Sequence, residues 1–159
     1  MSVLSGIRVI ELANERISWA GKLMGDMGAD VILVESKEGE PSRNYPPFLE
    51  DRPGENRSLY FWHYNTSKRS IVLDLAENTD QFLDLIDSAD ILIESEPTTR
   101  LSDLNIDYPQ LSERNKKLIH IAVTPYGRNN SLSDLPATDL TIMAAGGPPW
   151  SCGYDDHDL

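Results

Sequence analysis

Residues 18–35 read Ser18-Trp-Ala-Gly-Lys-Leu-Met-Gly-Asp-Met-Gly-Ala-Asp-Val-Ile-Leu-Val-Glu35. The first half has helical spacing, with Trp19, Leu23, Met24 and Met27 on one apolar stripe. Ser18 is placed to cap the start, because a serine hydroxyl accepts from a free backbone N–H of the first turn. Gly28 falls just past the end, where glycine turns left-handed without steric cost. Val31 to Val34 then run apolar without alternation, the pattern of a strand covered on both faces. Ile7-Arg-Val-Ile-Glu-Leu12 precedes the helix. The three pieces make a β-α-β unit, and the unit decides the fold.

Further strand candidates follow at Ser70–Leu75, Ile91–Glu94 and Leu118–Val123, rich in Ile and Val and bounded by polar residues. Helical patterns lie between them. Asn78–Ser88 carries Phe82, Leu83, Leu85 and Ile86 on one face. Tyr108–Asn115 has Pro109 suited to a first turn, and Thr138–Ala145 opens on Thr138 and Asp139. Strands alternating with helices predict an α/β fold, a Rossmann-like open parallel sheet with flanking helices. Residues 36–68 interrupt the alternation. Their first half is rich in Gly and Pro and reads as a long loop. The second half holds Tyr60-Phe-Trp-His-Tyr64, a short helix expected to place rings on the sheet. After Gly146 the chain turns to loop chemistry and stops at Leu159, as expected of a truncated piece.

The totals narrow the class. A chain of 159 residues suits about one domain with a real core. No run approaches the roughly 18 apolar residues of a membrane span, and no secretory leader opens the chain. The single cysteine, Cys152, forms no internal disulfide, which points to a reducing cytoplasm. A net charge of −12 argues against nucleic acid and anionic membranes as partners.

In an open α/β sheet the ligand lies outside the carboxyl ends of the strands. Arg16, Lys37, Arg43, Arg100 and Arg128 all follow strand candidates, a distribution suited to a phosphate-bearing ligand. Solvated loop cations are the plainer alternative. Lys68 and Arg69 precede their strand and are expected at the opposite edge. The turn Ala13-Asn-Glu-Arg-Ile-Ser18 has no glycine, so Glu35 at the next strand end does not complete a dinucleotide fingerprint. His120, inside an apolar run, reads as a packed core histidine.

The motifs Gly6-Ile-Arg-Val-Ile-Glu-Leu12, Gly21-Lys-Leu-Met-Gly-Asp-Met-Gly-Ala-Asp-Val-Ile-Leu-Val-Glu35, Asn65-Thr-Ser-Lys-Arg-Ser-Ile-Val-Leu-Asp-Leu75 and Thr124-Pro-Tyr-Gly127 come in the order and spacing of a known family. Together they resemble the family III CoA-transferases. The resemblance implies that residues 1–159 form the N-terminal part of a CoA-binding large domain, with the small domain and the C-terminal part absent. It implies a homodimer in the full-length form, coenzyme A or acyl-CoA as substrate alongside small carboxylic acids, and no permanently bound cofactor. It also implies CoA transfer through an aspartate that carries the acyl group as an anhydride and then CoA as a thioester. That aspartate would follow Leu159, leaving no catalytic residue in this chain. CoA contacts are implied for Arg16 and Ile17 in the first loop, for Lys37, for Lys68 and Arg69, and for Ser95 and Glu96. The last two stand where the family has Asn and Phe, and a carboxylate at Glu96 is a poor neighbour for a polyanion. Two alternatives stay open. One is an acyl-CoA racemase or isomerase, disfavoured because Thr138 stands where that branch has histidine. The other is a non-catalytic binding or assembly module.

Overall fold

The computed structural model describes residues 2–97 and 99–148. Cys152, Asp155 and Asp156 lie outside the described residues. The chain divides into two units, Met1–Val123 and Thr124–Leu159. In the first, β1 (Arg8–Leu12), β2 (Asp30–Glu35), β3 (Lys68–Val72), β4 (Ile91–Glu94) and β5 (Ile119–Ala122) form one sheet in the order β3-β2-β1-β4-β5. Every pairing is parallel. This is the open Rossmann-like sheet expected from the unalternated apolar runs. The strand order reverses between β1 and β4, which opens a crevice at their carboxyl ends.

A parallel sheet needs both faces covered. On one face Ile10, Leu12, Ile32, Val34 and Leu92 pack with Phe82 and Ile86 of α3 (Thr79–Asp87), Leu101 of α4 (Arg100–Asp103) and Leu111 of α5 (Tyr108–Arg114). On the other, Val9, Val31 and Ile93 pack with Ile17 and Met24. Neighbouring strand residues serve opposite faces, as the pleat requires. Phe82 and Ile86 have no exposed surface. At about 1.5–3 kcal/mol for each such side chain, these two dominate the docking of α3.

α1 (Ser18–Asp26) ends as expected, with Gly28 at φ +97° just beyond it. Its start and its buried face differ from the expectation. Ser18 lies in the first turn rather than at the cap, and its hydroxyl donates to the Glu15 carbonyl at 3.0 Å. The apolar stripe faces away from the core. Trp19, Leu23 and Met27 are 48%, 42% and 43% exposed, and only Met24 reaches the second cluster. The helix lies instead on Ser18 and Gly21, its buried residues. A methyl group at Gly21 would overlap the Glu11 carboxylate, and one at Gly25 would come within 2.9 Å of the Ser67 carbonyl oxygen. Small residues bring the helix backbone close to the sheet, and that closeness pushes the large side chains outward. Gly21→Ala is therefore expected to lose about 1–3 kcal/mol by overpacking, although alanine favours a helix by about 1 kcal/mol over glycine. Urea unfolding checks this, and an unchanged or raised midpoint would refute the close approach.

The segment between β2 and β3 holds two short 3-10 turns, Pro41–Asn44 and Leu49–Asp51, and then α2 (Leu59–Asn65). The Ser58 hydroxyl caps α2 by accepting the Phe61 N–H at 3.1 Å. The rings of α2 do not lie on the sheet, as expected, but against α1. Trp19 stacks on His63 with centroids 6.2 Å apart and meets Tyr64 edge-on at 6.0 Å. Only Phe61 of α2 is buried. β3 also begins earlier than expected. Lys68 and Arg69 join the ladder because Glu11 and Asp30 take up their charges. Leu73 and Leu75 follow the strand and enter the core.

In the second unit, α6 (Asp139–Gly146) starts at a reciprocal cap: Thr138 Oγ1 accepts the Thr141 N–H, and Thr141 Oγ1 accepts the Thr138 N–H. Among the described residues no helix is long and apolar enough to cross a membrane.

Candidate functional site

The loops that leave β1, β2, β3 and β4 enclose a cleft of about 470 Å³ at the carboxyl ends of the strands. It sits at the switch point of the sheet, where open α/β folds bind ligands. Arg16 enters from the β1 loop, Glu35 and Tyr45 from the β2 side, and Ser95 and Glu96 from the β4 loop; Arg100 opens α4. Ser95 is buried, and its hydroxyl has no hydrogen-bond partner among the described residues. Glu96 pairs with Arg100 at 3.0 Å. Arg100 therefore sets a cation beside the carboxylate that the sequence marks as hostile to a polyanion.

The cations expected to serve a ligand divide into two groups. Arg16 and Arg100 line the cleft. The others are engaged elsewhere. Lys37 lies outside the lining and reaches Glu77 at 2.5 Å, a partner that raises the pKa of its ammonium. Arg43 is also absent from the lining and serves as a structural group behind Glu35. Its Nε and Nη2 each meet an oxygen of Glu35 at 2.6 Å, and its guanidinium stacks 3.9 Å from the Phe61 ring. Burial pushes the Glu35 carboxyl up, but hydrogen bonds from Arg43, the Ser70 hydroxyl and the Glu40 N–H outweigh it and leave its pKa lowered. Arg69 chelates Asp30 with contacts of 2.9 and 2.7 Å, toward the amino end of β2. Arg128 belongs to the second unit.

Lys68 and Ile17 are placed where no ligand reaches their side chains. Ile17 is a core residue, 1% exposed. Lys68 lies beneath α1 with 1% of its side chain exposed, and its ammonium donates to Glu11 at 2.7 Å, to the Ser18 carbonyl at 2.9 Å and to Asn65 at 2.9 Å. Burial lowers the Lys68 pKa and pushes the Glu11 carboxyl up to about 7. The expectation of an opposite edge holds for Arg69, while Lys68 is turned inward by Glu11.

One arrangement was missed from the sequence. Glu94 and His120 face each other in the core at 3.1 Å. The available signal was a glutamate in each of the three central apolar runs, at Glu11, Glu35 and Glu94. All three are buried, and each meets a basic side chain.

Comparison with known proteins adds to this geometry. The model of CoA-transferase family III matches residues 4–158. The chain is 37% identical over 153 residues to succinyl-CoA:(R)-benzylsuccinate CoA-transferase subunit BbsE of Thauera aromatica, covering 95% of this chain and 37% of that protein. It is 41% identical over 150 residues to succinate–glutarate CoA-transferase of Agrobacterium fabrum, covering 91% and 38%. The crystal structure of a CAIB/BAIF family protein from Brucella suis superposes with a TM-score of 0.85 at 31% identity, covering 99% of this chain and 42% of that one. The chain thus spans about two-fifths of the length of the relatives it matches.

Proposed function

Since the chain belongs to CoA-transferase family III, we propose that it forms the CoA-binding part of an enzyme that moves CoA between carboxylic acids. The observation that carries this reading is the cleft at the switch point, with Arg16, Arg100 and the buried Ser95 hydroxyl on its walls. α1 starts next to the Arg16 loop, and the amino end of a helix favours negative charge. Arg16 and Arg100 hold the phosphates, and Ser95 and Glu96 meet the uncharged part of the ligand. Lys37, Lys68 and Arg69 have no direct role in this reading, and Ile17 contributes only packing behind the first loop.

Residues 1–159 are then the N-terminal part of the large domain of a cytoplasmic homodimer. A carboxylate attacks the acyl-CoA carbonyl and forms an anhydride, releasing the CoA thiolate. The thiolate attacks the enzyme's own acyl carbonyl, so that the first acid leaves and CoA is held as a thioester. The acceptor acid then takes CoA by the same two steps in reverse. The resemblance puts that aspartate after Leu159. Thr138, used here to cap α6, leaves no group for racemase chemistry at that position. The reading as a binding module draws support from the carboxylates of Glu15, Glu38, Glu40 and Asp74, which also line the cleft.

Calorimetric titration with CoA tests the proposal. The chain is expected to bind, and Arg100→Ala to weaken binding by about tenfold, the size of one lost charge-assisted phosphate contact. Lys37→Ala is expected to leave affinity nearly unchanged. A folded chain that binds no CoA would refute the proposal.

A further inference from the structure

The loop that brings Ser95 and Glu96 to the cleft is held from beneath. Glu94 ends β4 and has no exposed surface. One of its carboxylate oxygens, Oε2, accepts the Glu96 backbone N–H at 2.7 Å. The other, Oε1, lies 3.1 Å from Nε2 of His120 on β5, whose side chain is 3% exposed. The Tyr108 ring flanks His120, with centroids 6.0 Å apart. The main chain of Glu94 is also tied, because its carbonyl accepts the Val123 N–H at 2.8 Å. Neither Glu94 nor His120 lines the cleft.

An apolar residue would satisfy the β4 register at lower cost, since burying a carboxylate is unfavourable unless its oxygens are bonded. Here each oxygen has a separate task. Oε1 is braced by β5, and Oε2 reaches forward two residues and anchors the loop at Glu96. That anchor sets where the Ser95 hydroxyl, without a hydrogen-bond partner among the described residues, sits and where the Glu96 side chain meets Arg100. We propose that Glu94 and His120 are positioning residues for CoA recognition, holding the 95–97 loop in the shape that the ligand requires. This inference rests on the reading of the cleft as a CoA site.

The test compares Glu94→Gln, Glu94→Leu and His120→Phe by CoA calorimetry, with hydrogen exchange at the Glu96 amide. Glu94→Gln keeps an acceptor for that amide and a partner for His120, so its affinity is expected within about threefold of wild type. Glu94→Leu fills similar volume without an acceptor, and is expected to bind CoA about tenfold more weakly or worse with a faster-exchanging Glu96 amide. His120→Phe keeps the ring and removes the brace, and is expected to fall between the two. A purely structural role would lower the melting temperature and leave the affinity of the folded protein unchanged. Wild-type affinity in folded Glu94→Leu overturns the inference. If that variant does not fold, wild-type affinity in His120→Phe overturns it. A wild-type chain that binds no CoA overturns the reading of the cleft and this inference with it, whereas binding unchanged across the variants overturns this inference alone.

Discussion

Lys68→Met is expected to cost about 3–5 kcal/mol of stability at pH 8, because it leaves a buried carboxylate without its partner. Against a typical total of about 5–15 kcal/mol, that is a fifth of the stability or more. Methionine replaces most of the volume, so the loss reports charge rather than a cavity. Glu11 has no exposed surface, and its Oε2 already lacks a hydrogen-bond partner among the described residues. The ammonium of Lys68 also ties the Ser18 carbonyl of α1 to Asn65 of α2, so its loss loosens both helices over the sheet.

The pH dependence distinguishes this account from simple loss of packing. Burial raises the folded-state pKa of Glu11 from the ordinary 4.5 to about 7, against the opposing pull of Lys68. A carboxyl with a raised folded pKa binds more protons folded than unfolded. Its contribution is therefore fully present below pH 4.5 and lost as pH rises toward 7. Without Lys68 nothing opposes burial, so the window extends upward and the variant takes a proton more readily. The gap between wild type and variant should be widest at pH 8 and should narrow toward pH 5. Urea unfolding at both values measures it, and a gap independent of pH would count against the buried pair.

Arg43→Ala is expected to lose about 3–4 kcal/mol and to disturb the cleft wall. It strands Glu35, which is 2% exposed, and it uncovers the Phe61 ring. Here the sign with pH is opposite. The hydrogen bonds on Glu35 hold its pKa below 4.5, so the stabilisation is present above that value and is lost as the solution is acidified. The gap between wild type and Arg43→Ala should be largest at pH 7 and shrink below pH 4.5. Arg43→Lys should recover only part of the loss, since an ammonium cannot grip both carboxylate oxygens as the guanidinium fork does. Full recovery by lysine, judged from thermal unfolding, would show that the charge alone matters.

The chain alone determined the order of the elements, the parallel sheet and the family. Each rests on information local in sequence. Apolar runs of strand length, 3.6-residue periodicity and Gly28 at the helix end act over a few residues, and the motifs are read in a fixed order. The carboxyl-end cleft followed from that architecture, and with it the places of Arg16, Ser95, Glu96 and Arg100. What only the tertiary structure decided is which charges meet and which face of α1 is inside. Glu11 and Lys68 are 57 residues apart, and Glu94 and His120 are 26 apart. No spacing rule joins such pairs, because the strand order and register bring them together. The apolar stripe of α1 invited burial, but the helix sits close to the sheet on Ser18 and Gly21. At that distance the small residues make the contact, and Trp19, Leu23 and Met27 have no room beneath the helix.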